Sequence, residues 1–444
     1  MVMAAEVEKE YRYQPCMEGL VAALSQFKED AKCLQETFGD TIQALETHRD
    51  DIKKHFEDFV EKNKIKTGGT QREEIIIPQD NKREYNALFE KNKRAERACV
   101  LVSQNYLVSL VSVYDSFFAE LIRIIYTLCP QLLNTEQSTF TYSDLQKFES
   151  IGQVGVSLVE KKVESLMRDS HIAQINALEI ILKVDTLKKF NGWEQFVELT
   201  ERRNLFVHTN GRISTQYVAI CKKYNALLED CEIGTTLTID RDYFLEAYRT
   251  LYKMAVMLTA VVANKYCPQH YKKFFEELDK LMINHIFYMI SEQELTMAIE
   301  VSQYILSSPF KHKQQDKCYI ILNLAQAYKW NGQEDKCIET LSQEDSSAWK
   351  PDLLIPELAL EENYPDVYEN MRSLGRSGKI LHPKEYREWP IFQKLREQKE
   401  FLSLFKEIFG EDFNQNSNVV VEGMGEYMGE YMGESTCVRL DAES

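Results

Sequence analysis

Long stretches without glycine or proline constrain this chain more than any other feature of its sequence. Residues 81–129 contain neither over 49 positions, and Gly39 is the only glycine or proline between Gly19 and Ile65. Because glycine and proline disfavour helix most strongly, their absence over such lengths predicts long helices. In the first stretch, apolar residues recur at intervals of three and four, the spacing of one helical face: Leu20, Leu24, Phe27, Ala31 and Leu34. The sequence therefore predicts an all-α fold.

The stretch 81–129 carries an apolar stripe wide enough to pack against more than one neighbour, so we expect it to be a central helix. The segment "EEIIIP" at 73–78, which ends at a proline, favours a short extended piece instead. Shorter helices are predicted at about 143–148, 154–168, 171–184, 193–207 and 241–265.

Composition limits the class of protein. With 444 residues, of which 44% are hydrophobic and 28% charged, the chain is globular in composition and long enough for two or three domains. Its N-terminus does not resemble a secretory signal, and its apolar runs are too short to cross a bilayer. We expect a soluble, cytoplasmic protein without membrane contact.

The net charge and the spacing of the cysteines and histidines limit the possible functions further. The net charge of −17 argues against broad, non-specific adhesion to nucleic acid, so any contact with RNA must be local. Ten cysteines occur without a C-x-x-C motif, and eight histidines occur without H-x-x-x-H spacing. These patterns favour reduced thiols and predict neither a metal site nor a cofactor.

Residues 320–341, "IILNLAQAYKWNGQEDKCIETL", read as a helix, an Asn-Gly turn and a second helix. Their spacing resembles a tetratricopeptide repeat, with Cys337 where a small alanine is usual. Flanking helix pairs are expected at about 278–306 and 351–374, without a clean 34-residue period. The prediction is a short α-solenoid, and an irregular helical domain is the alternative.

Two segments follow this helical region. Residues 388–410 have the pattern of an amphipathic helix that would close the open end of a solenoid. The tail then turns to the repeat "GEYMGEYMGES", whose composition cannot bury enough surface to offset its ordering entropy. We expect residues 414–444 to be disordered.

The polar stretch "ERRNLFVHTNGR" at 201–212 ends an otherwise apolar helical segment and carries the candidate chemistry. Arg203 and His208 are five residues apart, about 140° around a helix, so they do not share one face but would flank a groove. An arginine offers a planar fork for phosphate oxygens, and a histidine with a pKa near about 6.5 exchanges protons at neutral pH. RNA supplies its own 2′-hydroxyl as nucleophile, so no metal is needed.

A structural reading of the same residues stays open from spacing alone. Arg203 would then pair only with Glu198 or Glu201, and His208 would hydrogen-bond the last carbonyls of its helix. Likewise, the mixed charges around Arg202 and Arg212 are either a local RNA-binding patch or a solvated helix face.

The string "ERRNLFVHTNGRIS", together with the helix "YLVSLVSVYDSFFAELIR" at 106–123, resembles the HEPN superfamily. The resemblance spans about 80–266. It implies a helical bundle, usually dimeric, with R-x4-6-H motifs meeting in a shared cleft, and in many members a metal-independent endoribonuclease of antiviral defence, toxin–antitoxin systems or RNA processing. Carried over, Arg203 binds the scissile phosphate, His208 transfers protons and Asn204 supports them. Independently of the resemblance, the local basic patch makes Arg202 and Arg212 the expected substrate-binding residues.

The sequence thus predicts an N-terminal helical segment (1–72), a HEPN-like bundle (80–270), a tetratricopeptide-like domain with its closing helix (275–410) and the tail. The expected partners are RNA, a second copy of the chain and a regulatory protein or trigger on the repeat region. Two rivals remain: a non-catalytic scaffold for dimerisation, nucleotide or protein binding, and the toxin half of a toxin–antitoxin pair. Neither the RNA that is cut nor the activating signal follows from the sequence.

Overall fold

The computed structural model describes residues 2–67, 74–135, 141–226, 231–266, 272–307, 312–343 and 349–413. Within these ranges the protein is all-α apart from one small β-hairpin. Contacts divide the chain into two compact units, Met1–Val262 and Ala263–Ser444. No helix in the described ranges is both long and apolar enough to span a bilayer.

Two long helices form the spine of the first unit. Helix α1 (Val2–Asn63) leads through the antiparallel strands β1 (Ile65–Thr67) and β2 (Glu74–Ile76) into α2 (Lys82–Leu128). The two helices run antiparallel, because Phe38 contacts Tyr106 while Asn63 accepts a hydrogen bond from Asn81. The remaining helices of this unit are α3 (Tyr142–Leu145), α4 (Ile151–Met167), α5 (His171–Leu182), α6 (Trp193–Thr209), α7 (Thr215–Lys223) and α8 (Arg241–Tyr266).

Helix α2 is the centre of this unit, as its wide apolar stripe predicts. It packs against α1, α4 and α6. Its fully buried positions include Leu107, Leu110, Tyr114, Phe118 and Leu121. Helix α1 belongs to the same unit, since Phe27 packs against Tyr114 and Phe38 stacks on Phe244 of α8.

The second unit is a succession of helix pairs. The pairs are α9 (Lys272–Ser291) with α10 (Leu295–Ser307), α11 (Gln314–Trp330) with α12 (Glu334–Leu341), and α13 (Pro351–Leu360) with α14 (Tyr364–Leu374). Helix α11 contacts α9, α10, α12 and α13, so it lies at the centre of this unit. Pro383–Glu388 (α15) and Lys399–Phe409 (α16) complete it, and the tail 414–444 lies outside the described residues.

The closing segment is not one helix from residue 388, as the sequence pattern predicts. Pro390 begins a short 3₁₀ turn, a second turn spans Leu395–Glu397, and only then does α16 start. The reason is Pro390, which lacks an amide hydrogen and disfavours helical geometry at the preceding residue. Trp389 accordingly has φ −65° and ψ 117°. The apolar face of α16 is nevertheless buried through Phe401, Leu404 and Phe405.

A buried acidic and histidine cluster makes the second unit sensitive to pH. Burial, and then the charge of Asp279, raises the pKa of Asp316 from 3.8 to about 6. Burial opposes protonation of His312, but a 2.7 Å hydrogen bond with Asp279 leaves its pKa raised above the ordinary value. Both raised values mean that stabilisation present at low pH is lost as the pH climbs through the folded-state pKa values.

We therefore expect Asp316→Asn to raise the free energy of unfolding at pH 7.5 by roughly 1–2 kcal/mol, and to change it little at pH 4. The amide keeps the shape of the side chain but carries no charge to bury. Thermal unfolding at the two pH values measures the difference. The control is Asp335→Asn, which removes the charge of an exposed carboxylate. An equal effect of Asp316→Asn at both pH values would contradict the linkage.

Candidate active site

Helix α6 carries the polar stretch singled out in the sequence, and both of its ends are set by left-handed backbone. It follows Gly192 (φ 121°) and stops at Asn210 (φ 54°) and Gly211 (φ 82°). Its apolar face is buried through Phe196, Val197, Leu199, Leu205 and Phe206. The polar residues near its C-terminal end are therefore held on a helix that is fixed along most of its length.

Gly211 is required at this position for two reasons. Its positive φ suits glycine, and a Cβ there would lie 2.8 Å from the Phe206 ring and 3.0 Å from Nε2 of Gln104. Its amide donates to the carbonyl of Leu205, closing the last turn of α6. The end of α6 is thus locked against α2, which carries Gln104.

We expect Gly211→Ala to lower the free energy of unfolding by about 2–4 kcal/mol, through backbone strain and the clash with Phe206. The matched control is Gly155→Ala in α4, where a Cβ would meet no atom within 4 Å. That control should be neutral or stabilising by up to about 1 kcal/mol, since alanine favours helix. Chemical denaturation compares the two, and equal effects would show that Gly211 is not a special position.

Arg203 lies at the surface end of this arrangement and is held by a carboxylate. Its Nη2 donates to Oδ2 of Asp115 at 3.3 Å, and its Nη1 donates to the side-chain oxygen of Asn204 at 3.3 Å. The side chain is 23% exposed, and its Nε is buried without a hydrogen-bond partner among the described residues. The guanidinium is therefore oriented by two contacts and still reachable from solvent.

Asp115 links three helices at this point. Its Oδ1 lies 2.9 Å from Nε2 of His171, the first residue of α5, while Oδ2 accepts from Arg203 of α6. His171 is buried and packs edge-on against Phe196. One carboxylate of α2 thus fixes the positions of two basic side chains.

Glu201 adds a second buried acid close by. Burial raises the pKa of its carboxyl, and the nearby His171 opposes that rise. A carboxyl in such surroundings holds a proton more readily than an exposed glutamate.

His208 lies on the last turn of α6 and is exposed. Across the described ranges it makes no hydrogen bond or ion pair, so the structure does not show the carbonyl contact that a purely structural histidine would make there. Five residues of helix separate it from Arg203 by about 7.5 Å along the axis and about 140° around it. Its neighbour Val207 is also exposed, at 50%.

The structure places Arg202 in the interior. It is 4% exposed; its Nε donates to Oε1 of Glu198 at 2.7 Å and its Nη1 to the carbonyl of Thr238 at 3.1 Å. Its guanidinium carbon lies 3.8 Å from the centroid of the Tyr243 ring. Glu198 also accepts hydrogen bonds from the hydroxyls of Tyr217 and Tyr243, each at 2.6 Å. Glu198 therefore pairs with Arg202 and not with Arg203. The side chain of Arg202 is buried and fully engaged within the protein, as is typical of a structural residue.

Arg212 is exposed, beyond the end of α6. Its Nε donates to the carbonyl of Gly234 at 3.1 Å, and its backbone forms an isolated bridge with Thr236. Lys222 and Lys223 of α7 are also exposed. Tyr224, the residue after Lys223, packs against Trp193 at the start of α6, so these lysines lie towards the opposite end of the helix from Arg203 and His208.

The structure therefore brings Arg203 and Asn204 together, leaves His208 free at the same helix end and separates Arg202 from them. Asp115 and His171 were missed by sequence reasoning. A lone acid inside the most apolar part of α2 was the available signal, because an aspartate on a buried face needs a partner. Among the described residues, no group of three or more histidines, cysteines or acids is arranged to hold a metal ion.

Chemically, the site pairs an oriented guanidinium with an exposed imidazole on the same helix end. The first suits a phosphate, and the second suits proton transfer. No family model, curated protein or solved structure matches the chain.

Proposed function

We propose that the protein is a metal-independent endoribonuclease of the HEPN type, with Arg203 and His208 as its catalytic residues. The observation that carries the proposal is the orientation and exposure of these two side chains near the C-terminal end of α6. Arg203 is oriented by Asp115 yet partly exposed, and His208 is exposed without a partner in the described ranges. The resemblance of 201–214 to the HEPN motif supports the same assignment.

In the proposed reaction the 2′-hydroxyl oxygen of one nucleotide attacks the adjacent phosphorus. A bond forms between O2′ and phosphorus, and the bond from phosphorus to O5′ of the next nucleotide breaks. Two protons move in this step, one away from the 2′-hydroxyl and one onto the departing O5′. His208 makes one of these transfers, and His208 of the second copy of the chain makes the other. The products are a 2′,3′-cyclic phosphate and a free 5′-hydroxyl, and no water or metal enters the bond-making step.

Arg203 stabilises the charge that develops on the non-bridging phosphate oxygens. Asp115 engages Nη2, and Asn204 engages Nη1. These contacts restrict the rotation of a flexible side chain before substrate binds, which lowers the entropic cost of binding. Asn204 is the supporting polar residue, and Arg212 would contact the flanking RNA backbone.

A second copy of the chain completes the proposed site. The separation of about 140° means that Arg203 and His208 of one α6 do not face the same point directly. A partner helix packed across the exposed end of α6, where Val207 lies, would place a second arginine and histidine on the opposite side of the groove. In this proposal the helix pairs of the second unit form a tetratricopeptide-like surface for a regulatory protein or trigger, as in antiviral defence or a toxin system.

The test is an RNA-cleavage assay with the full chain in excess chelator, followed by analysis of the product ends. We expect cleavage to persist in chelator and the new 3′ ends to carry cyclic phosphates. Cleavage that requires added Mg²⁺, or that yields 5′-phosphate ends, would contradict the proposed chemistry.

The same network favours one other candidate function, a non-catalytic helical scaffold. Arg203 already has an anionic partner in Asp115, as it would in a purely structural ion pair. A chain that dimerises but cleaves none of a set of transfer, ribosomal and messenger RNAs would support this function instead.

A further inference from the structure

A cavity of about 240 Å³ lies in the first unit, away from Arg203 and His208. It is lined by the first two turns of α6, by Asn225 and Ala226 after α7, and by residues 243–250 of α8. An engineered apolar cavity of about 150 Å³ holds benzene, so a space of this size takes a molecule of about ten non-hydrogen atoms. It is too small for a nucleotide and is separate from the proposed RNA site.

The inner lining is mainly apolar, with one unsatisfied polar atom. Leu199, Ala226 and Ala247 are buried and present only hydrocarbon side chains. Thr250 also lines the cavity and is 0% exposed, and its Oγ1 has no hydrogen-bond partner in the described structure. Buried hydroxyls are normally paired, and an unpaired one costs about 1–3 kcal/mol. An aromatic ring that reaches Thr250 would offer its π face to this hydroxyl as a weak acceptor.

The charged residues in the lining of the cavity are acidic. Glu194 and Glu246 are exposed lining residues. Glu194 has no ion pair among the described side chains, and Glu246 has only a 3.7 Å contact with Arg249. Neither carboxylate is therefore strongly neutralised.

The third lining acid does not contribute in the same way. Glu198 already accepts from the buried Arg202 and from the hydroxyls of Tyr217 and Tyr243. Its charge is compensated by Arg202 at 2.7 Å. The electrostatic preference of the cavity is thus set by Glu194 and Glu246 at its rim, and it favours a cation.

We propose that this cavity binds a small organic amine, with its apolar body against Leu199 and Ala247 and its ammonium group at Glu194 and Glu246. An apolar interior with a few placed polar groups is the usual composition of a small-molecule site. A neutral or anionic molecule of the same shape would lose the contact with the rim carboxylates. The proposal does not depend on ribonuclease activity, because it rests on a different part of α6.

The test uses phenethylamine as the probe, with 2-phenylethanol as its neutral isostere, in calorimetric titrations of the full chain. We expect phenethylamine to bind with a Kd of about 1 mM or tighter. It should bind at least about tenfold more tightly than the alcohol, as the loss of one charge-assisted contact predicts.

Two sets of variants assign the binding to this cavity. Glu194→Gln combined with Glu246→Gln should weaken phenethylamine about tenfold and leave the alcohol unchanged. The charge-matched control combines Glu57→Gln with Glu90→Gln, which are exposed acids elsewhere in the first unit and should have no effect. Ala247→Leu should abolish binding of both probes by filling the space. Ala247→Val fills less of it and should weaken both probes if the leucine variant does not fold.

Equal binding of the amine and the alcohol, or an affinity for the amine that is unchanged in the double glutamine variant, would overturn the proposal. So would the absence of any binding up to about 10 mM. None of these outcomes bears on RNA cleavage, so failure here and failure of the proposed ribonuclease function are distinguishable.

Discussion

His208→Ala is expected to reduce the rate of RNA cleavage by about 10²- to 10⁴-fold, the usual contribution of a positioned acid or base. The folded protein should be unchanged, because His208 is exposed and makes no hydrogen bond or ion pair with the described residues. Single-turnover cleavage of one RNA substrate, at saturating enzyme, isolates the chemical step from binding. The prediction rests on the proposed function.

The controls for this experiment come from the chain itself. His48→Ala removes another exposed histidine, on α1, and should leave cleavage unchanged. Arg203→Lys keeps the positive charge but loses the planar fork, so it should also impair cleavage. Cleavage by His208→Ala at the wild-type rate would remove this residue from the site, and His208 could then be only a surface residue of the helix.

The second large effect concerns stability. Arg202→Ala should lower the free energy of unfolding of the first unit by about 3–5 kcal/mol, because it leaves the buried Glu198 without its cation. Glu198 would keep only the two tyrosine hydroxyls, and the cavity left beside Tyr243 would add to the loss. Urea denaturation followed by circular dichroism measures the change.

Arg212→Ala is the matched control for this loss. It removes the same type of side chain from an exposed position, where the guanidinium donates a hydrogen bond to the carbonyl of Gly234. Its effect on stability should stay within about 1 kcal/mol. If both arginine variants were equally stable, Arg202 would not have the structural role that its burial indicates.

The helices could be predicted from the sequence because their causes are local. The stretch without breakers at 81–129 corresponds to α2 (Lys82–Leu128), and the segment at 193–207 corresponds to α6 (Trp193–Thr209). Glycine and proline content and apolar spacing are properties of neighbouring residues, so one sequence suffices to read them.

The roles of the two adjacent arginines were harder to assign. Arg202 lies three residues after Leu199 and four before Phe206, so it falls within the apolar row of α6. Glu198, four residues earlier, is in reach as its partner. The position of Arg202 on the apolar face of α6 was therefore a local signal that its side chain is buried. The two tyrosines that complete its network belong to α7 and α8, and only tertiary packing brings them to Glu198.

Asp115 could not be paired with Arg203 from the sequence, because 88 positions separate them along the chain. Only the packing of α2 against α6 determines that contact. The amphipathic pattern of each helix determines which of its faces is buried, but it does not determine which other helix packs against that face. The candidate site is therefore the part of the molecule that a single sequence describes least well.

The carboxylate shared by α2, α5 and α6 also has a consequence for synthesis on the ribosome. Asp115 is translated before His171 and Arg203, so a nascent polypeptide that ends within α4 holds one member of the network without the others. The guanidinium becomes oriented only once all three segments have emerged and docked. A toxic activity that depends on this orientation would stay silent in truncated or partly translated chains.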